Sequence, residues 1–441
     1  MLDNMRILIK NGRVIDPANK IDAVKDIYIS KGIIREVADS IDMEADKIID
    51  AGGKWVMPGF VDMHSHLREP GAEHKETIRT GLRAAARGGY TALCMMPDTK
   101  PCIDSVEMVD FIKERAEELS YIDILPVAAV TAGQDGEFIT DFEKLYANGA
   151  VAVTEDGKTI VNARTVRQAM KLAADVGIPM FAHCIDVNLA KNGVMHAGKR
   201  ARELGFYGLM DVVEDTIISR DLLLARSTDC QLHVCHITTE SAVWMVEQAK
   251  ELGAKISCEV TPHHLVFTDM DISGDDPDFK TLPPIRSAED RNALRKALSS
   301  GIIDCIATDH APHHESEKAL GFEQAPFGAS GLETAVSVVV SELVHTGVIT
   351  PSQMVEKMSL NPSRILSLDR GTLSVGASAD ITIVDPELEY TIDSSAFASK
   401  GKNTPFDGRK VKGRVVATIA KGRLVYRFTD GKDIISDKDD E

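Results

Sequence analysis

From Gly59 onward, short runs of Val, Ile, Ala and Met recur along the chain, each followed by a longer stretch in which apolar residues return every three to four positions. Runs that are apolar throughout suit parallel strands, which are covered on both faces, and the three-to-four spacing marks the helices that cover them. The pattern predicts strands at residues 59–66, 90–97, 123–130, 150–156, 178–184, 231–237, 254–260 and 303–311. Eight such strands close a (β/α)8 barrel. Segments 75–88, 163–176, 240–252 and 288–300 predict helices between them. Segment 333–368 predicts terminal helices, with Asn361-Pro362 as a helix start.

Both ends of the chain follow a different pattern. Ile7-Leu8-Ile9-Lys10 and Asp26-Ile27-Tyr28-Ile29 are short β-type runs broken by Asn-Gly and Lys-Gly, which suit hairpins. After Gly371 such runs return, as Ala379-Asp380-Ile381-Thr382-Ile383-Val384 and Val415-Val416-Ala417-Thr418-Ile419. The simplest arrangement pairs residues 1–54 with 369–428 in one composite β domain beside a barrel of residues 55–368. Residues 429–441 are acidic and poor in apolar side chains, which predicts a disordered tail.

Length agrees with this division, since 441 residues exceed the ~250 of a typical barrel and leave room for a smaller unit. The seven cysteines are scattered, several inside apolar runs, with no C-x-x-C pair, and read as buried thiols of a reducing compartment. A net charge of −18 argues against nucleic acid or an anionic membrane as a partner, although local cations can still hold a small substrate. No basic segment leads into an apolar signal core, and no apolar run reaches the ~18 residues of a membrane span. A cytoplasmic protein is expected.

The chemistry lies at the ends of the predicted strands. Gly59-Phe60-Val61-Asp62-Met63-His64-Ser65-His66 closes on two histidines two positions apart, which strand alternation turns to the same side. Further runs close on Asp156, His183, His236 and Asp309, and in a barrel such ends form the mouth where active sites sit. Imidazole and carboxylate ligands without cysteine favour Zn²⁺ or a similar divalent ion in an open, catalytic site. A carboxylate bridging two ions ~3.5–4 Å apart would divide the four histidines into pairs, and Asp156 is the natural bridge. Glu155 is expected on the opposite face in a structural role. His233, three positions before His236, is expected to be packed away from the ions or to support their ligands.

At this point the sequence resembles a family. Asp-Met-His-Ser-His-Leu-Arg-Glu-Pro-Gly at 62–71, Met96-Pro97-Asp98-Thr99, Ala182-His183-Cys184, Val234-Cys235-His236 and Val260-Thr261-Pro262-His263-His264 carry the resemblance. So do Ala307-Thr308-Asp309-His310-Ala311-Pro312-His313, Ala325-Pro326-Phe327-Gly328 and Lys400-Gly401-Lys402-Asn403-Thr404-Pro405-Phe406. Together they resemble the long bacterial type of dihydroorotase, within the amidohydrolase superfamily of metal-dependent barrels.

The resemblance implies two zinc ions per chain: His64 and His66 on one, His183 and His236 on the other, Asp156 bridging, and Asp309 both a ligand of the first and the general base. It implies reversible hydrolysis of dihydroorotate to carbamoyl-aspartate in pyrimidine synthesis. His66, Arg68, Asp98, Leu282, His313, Phe327 and Gly328 would bind the substrate, Arg68 through its carboxylate. A homodimer and an aspartate carbamoyltransferase partner are further expectations.

Two positions depart from the family pattern, in which Asn stands at the places of Asp98 and Leu282. An ionised Asp98 at ~4 Å would repel the substrate carboxylate by ~4 kcal/mol at an effective dielectric near 20. Pairing with a cation such as Lys100 or Arg68 would relieve this, Lys100 being favoured because it lies two residues on. Asp98→Asn is accordingly expected to lower KM for dihydroorotate. The alternatives are another cyclic amidohydrolase, of the hydantoinase or allantoinase type, and a non-catalytic homologue, which the full set of six ligand-type residues disfavours.

Overall fold

The computed structural model describes residues 5–438. Its centre is an eight-stranded sheet in which each strand pairs in parallel with its neighbour in sequence. The strands are Phe60–Ser65, Tyr90–Met95, Asp123–Ala129, Ala152–Thr154, Met180–Ala182, Leu232–Val234, Ile256–Val260 and Cys305–Ile306. The first and eighth close the ring through a bridge between Ser65 and His310 and a bond from His66 N to His310 O of 2.8 Å. Buried Asp62 reinforces the closure by accepting from Thr308 N at 2.8 Å and Thr308 Oγ1 at 2.6 Å.

Several strands stop short of the apolar runs that announce them. Beyond Val234 and Ile306 the backbone turns, with His236 at φ 33° and Asp309 at φ 46°. Left-handed residues cannot extend a ladder. At the ends of these two runs His236 and Asp309 therefore leave the sheet and aim their side chains across the mouth.

The helices follow the predicted spans closely: Ile78–Gly88, Ala163–Val176, Glu240–Glu251 and Ala288–Ser300. Their starts carry local signals. Thr77, Asn162, Thr239 and Ser287 each accept a backbone N–H of the first turn, satisfying donors that the helix itself leaves open. The terminal helices differ from expectation at Asn361-Pro362. A helix already begins at Pro351 and runs to Ile365, with a wider π-type turn over Glu356–Leu360. That wide turn relieves the i→i−4 crowding a proline ring brings, so Pro362 is carried inside the helix.

The second sheet joins both chain ends, in the order Lys432–Ile435, Arg423–Thr429, Lys410–Ala420, Ile381–Thr391, Trp55–Pro58, Arg6–Asp16, Ile21–Ser30, Ile33–Ala38, with Lys47–Asp50 also on Arg6–Asp16. The halves meet where Ile381 to Val384 pair antiparallel with Pro58 to Trp55. Ile7, Ile9, Ile27, Ile381, Ile383 and Ile419 share one apolar core, which neither end could bury alone.

The acidic end departs from the disorder expected of it. Lys432–Ile435 pairs antiparallel with Arg423–Thr429, and Asp437 is held by Arg79 and Arg83 of the first barrel helix at 3.0 and 3.1 Å. Opposite charge on the barrel surface supplies the anchor that composition does not reveal. Residues 439–441 lie outside the described residues. All seven cysteines are free thiols, six of them buried. Among the described residues no helix is long and apolar enough to cross a membrane.

Candidate active site

The ligand-type residues of five strands converge at the barrel mouth. Asp156 stands at the centre, and its two oxygens face different partners. Oδ2 lies 3.4 Å from His64 Nε2 and 3.4 Å from His66 Nε2, while Oδ1 lies 3.3 Å from His183 Nδ1 and 3.8 Å from His236 Nε2. Asp309 Oδ1 sits on the first side, 3.6 Å from His64 Nε2 and 3.5 Å from His66 Nε2. All six residues are buried. Two of them, with Arg68 at φ 64° beside His66, show how the mouth is built: His236, Asp309 and Arg68 all hold left-handed backbone, of the kind that concentrates at functional sites.

These separations are long for N–H···O bonds, which cluster near 2.9 Å. They match ligands about 2.0–2.1 Å from a shared tetrahedral ion, which lie roughly 3.3 Å from one another. Among the described residues buried His64 Nε2, Asp156 Oδ1 and His236 Nδ1 have no hydrogen-bond partner, and so many orphaned polar atoms in one cluster would be costly unless a cation satisfied them. The residues therefore fit divalent metal. Burial alone would neutralise Asp156, yet the surrounding imidazoles hold its carboxyl well below the usual range.

Support for the first two histidines comes from carboxylates behind them. His64 Nδ1 lies 2.7 Å from Glu259 Oε1, and Glu259 Oε2 lies 3.1 Å from His233 Nε2, whose Nδ1 meets Ser257 Oγ at 2.8 Å. Burial opposes the Glu259 charge, but His64 and His233 bring its pKa down to about 2. An ionised carboxylate only accepts, so His64 carries its proton on Nδ1 and turns the Nε2 lone pair to the cluster. Sequence reasoning missed Glu259. Its signal was a lone carboxylate inside the apolar run Ile256–Val260. His233 stays out of the cluster, as alternation requires, and Glu155 accepts from Thr131 N and Oγ1 as part of the local backbone framework.

Asp98 plays a similar part for His66, with Oδ1 2.8 Å from His66 Nδ1 and Oδ2 2.6 Å from Arg68 Nη1. The pairing expected with Lys100 falls on Arg68 instead. Arg68 lies inside the cavity beside His66, whereas Lys100 is exposed at the surface. Burial disfavours charge on His66, but the carboxylates of Asp98 and Asp309 raise it to about 9.

A cavity of about 320 Å³ opens above the cluster, and Arg68, Asp98, Leu282, His313, Phe327 and Gly328 line it together with His66, Asp156, His183, His236 and Asp309. Leu282 packs against Ile185, Leu209 and Val213, giving one wall an apolar face. The loop carrying Phe327 and Gly328 is fastened from behind. Lys318 Nζ donates to Pro277 O, Pro326 O and Gly328 O at 2.8, 3.2 and 2.9 Å, and Asn403 Nδ2 donates to Gly328 O at 2.9 Å. Asn403 Oδ1 also accepts from His313 N at 2.9 Å, which explains why a C-terminal motif belongs to this site. Gly328, at φ 136°, approaches so closely that a Cβ would fall 2.7 Å from Ala311 Cβ and 2.8 Å from its carbonyl oxygen.

The chain as a whole is similar to known proteins. A family model described as "Dihydro-orotase-like" matches residues 53–242, which contain five of the six cluster residues, all but Asp309. Among solved structures, L-hydantoinase (dihydropyrimidinase) from Arthrobacter aurescens superposes with a TM-score of 0.88 at 27% identity, over 98% of each chain. D-Hydantoinase from a Thermus species gives 0.84 at 25% identity, over 98% of this chain and 97% of that one. Among curated proteins, the dihydroorotase of Pelotomaculum thermopropionicum is 46% identical over 424 residues, covering 96% of this chain and 99% of the relative. That of Bacillus cereus is 45% identical over 423 residues, with the same reach. Identity at this level over 96% of the chain, a span that takes in the barrel and both parts of the composite sheet, shows that the chain belongs to the dihydroorotase family.

Proposed function

We propose that the protein opens the ring of dihydroorotate to N-carbamoyl-L-aspartate and closes it again, as a step of pyrimidine synthesis. One observation carries this reading: Arg68 stands in the wall of the cavity whose floor is the cluster around Asp156, so a carboxylate clamp and a hydrolytic centre share one chamber. Two zinc ions would supply Lewis acidity toward the ring carbonyl and a water acidic enough to attack it at neutral pH. His64, His66 and Asp309 would hold one ion and His183 and His236 the other. The division is supported by Asp156, which turns a different oxygen to each pair.

Asp309 is the proposed general base. It is the one carboxylate of the cluster that also lines the cavity without bridging the two histidine pairs. As water adds to the ring carbonyl carbon, Asp309 takes its proton; as the ring C–N bond breaks, it delivers that proton to the departing ureido nitrogen. In the closing direction the same proton travels back. Arg68 grips the substrate carboxylate, Leu282 covers an apolar face of the ring, and His313, Phe327 and Gly328 bound the far wall. The low His313 pKa of about 2, set by burial and then by Arg68 and Lys75, keeps that ring neutral as a hydrogen-bonding partner.

The apolar wall at Leu282 favours a second reading, a hydantoinase-type enzyme acting on an uncharged ring. Incubation of the zinc-loaded protein with dihydroorotate, hydantoin and allantoin, following ring opening, separates the two. Dihydroorotate should be turned over best; preference for hydantoin would overturn the proposal. The same reading includes a cytoplasmic homodimer and an aspartate carbamoyltransferase as partner. It is supported by the free thiols and by exposed Val187, Tyr207, Met210 and Val212 between the fifth and sixth strands. Light scattering of the protein, alone and mixed with that enzyme, tests both.

A further inference from the structure

We infer that Asp98 is a positioning residue that joins the substrate clamp to the metal centre, its two carboxylate oxygens fixing Arg68 and His66 in one rigid unit. The inference rests on the proposed roles of those two residues and adds a link between them. Asp98 Oδ1 is 2.8 Å from His66 Nδ1 and Oδ2 is 2.6 Å from Arg68 Nη1, so neither oxygen is left to face a substrate.

The geometry has consequences at both ends. With its Nδ1–H given to Asp98, the His66 ring presents Nε2 toward Asp156 and Asp309, at 3.4 and 3.5 Å, as a ligand must. Arg68 is held at one corner of its guanidinium and by a longer contact from Nε to Pro312 O of 3.3 Å. Among the described residues its Nη2 has no partner, which leaves it to meet a substrate carboxylate in an orientation set before the substrate arrives. A long arginine side chain without this anchor would otherwise sample several rotamers.

Only a carboxylate can perform both tasks. An amide at position 98 has a single accepting oxygen, and its NH2 would confront either Arg68 or His66 donor to donor. The charge on Asp98 is thus committed to its two neighbours, and the repulsion of substrate that sequence suggested is answered within the triad. The expected sign of the substitution reverses: Asp98→Asn should raise KM for dihydroorotate.

The test uses the full chain with Asp98→Asn and Asp98→Ala, and reads two quantities. Zinc affinity is measured without substrate, by competition with a chromogenic chelator. KM is measured for dihydroorotate and for dihydrouracil, the same ring without the carboxylate. The expected result is a zinc affinity about 10–100-fold weaker, the usual effect of removing a carboxylate behind a histidine ligand. KM for dihydroorotate should rise at least several-fold more than KM for dihydrouracil. Addition of Arg68→Met to Asp98→Asn should then leave KM for dihydroorotate close to that of Arg68→Met alone. Wild-type zinc affinity in both Asp98 variants, or an unchanged or lowered KM for dihydroorotate, overturns the inference. Failure of wild type to open dihydroorotate would instead count against the proposed function, and the zinc measurement would still decide the His66 half of the link.

Discussion

Glu259 offers the sharpest test of how the first histidine pair is held. The side chain is fully buried and makes two bonds, 2.7 Å to His64 Nδ1 and 3.1 Å to His233 Nε2. Replacement by leucine keeps the volume and strands both imidazoles. Each buried donor left without a partner costs about 1–3 kcal/mol. Part of this is recovered because a carboxylate no longer has to be desolvated, and a net loss of about 1–3 kcal/mol is expected for the metal-free protein. Glu259→Gln should behave differently. Its oxygen can still accept from His64 Nδ1, while its NH2 meets His233 Nε2, which becomes an acceptor once its proton moves to Nδ1 and is donated to Ser257 Oγ at 2.8 Å.

The expected order of zinc affinity is therefore wild type, then Glu259→Gln, then Glu259→Leu, the last about 10–100-fold below wild type. Urea unfolding of the metal-free proteins and chelator competition give the two scales. If Glu259→Leu bound zinc like wild type, or if Glu259→Gln were equally damaging, the orientation of His64 would not depend on this carboxylate.

Metal analysis of zinc-loaded protein should find two ions per chain and Asp156→Ala should lose metal together with activity; a count that stays at one would sink the binuclear arrangement. Asp309→Asn should keep the fold and lower kcat by about 10²–10⁴-fold, since an amide cannot take the proton of attacking water. Undiminished kcat with full zinc would remove Asp309 from that role. Lys318→Met deletes three bonds to loop carbonyls, so KM for dihydroorotate should rise and stability fall by about 3 kcal/mol while zinc content holds. Calorimetry and steady-state kinetics on that variant check the pair of effects, and an unchanged KM would mean that the loop keeps its shape without Lys318.

Much of the architecture could be read along the chain because its signals are local. The apolar runs and the helical spacing depend on residues a few positions apart, and they mark the eight strands and the four helices that follow them. His64 and His66 share a side because two residues of strand return to the same face, and each remaining ligand-type residue closes a run of its own. Tertiary structure decided what pairs with what. Glu259 meets His64 across 195 residues, and no spacing rule links them. Asp98 chose Arg68, 30 residues away, over Lys100 two residues away, because chain proximity says nothing about which cation the barrel mouth turns inward. The acidic end is ordered by a neighbouring strand and by Arg79 and Arg83, partners more than 350 positions distant from Asp437. Local sequence sets backbone preference within one element, whereas a buried charge is placed by whichever distant side chain can offset the loss of its water.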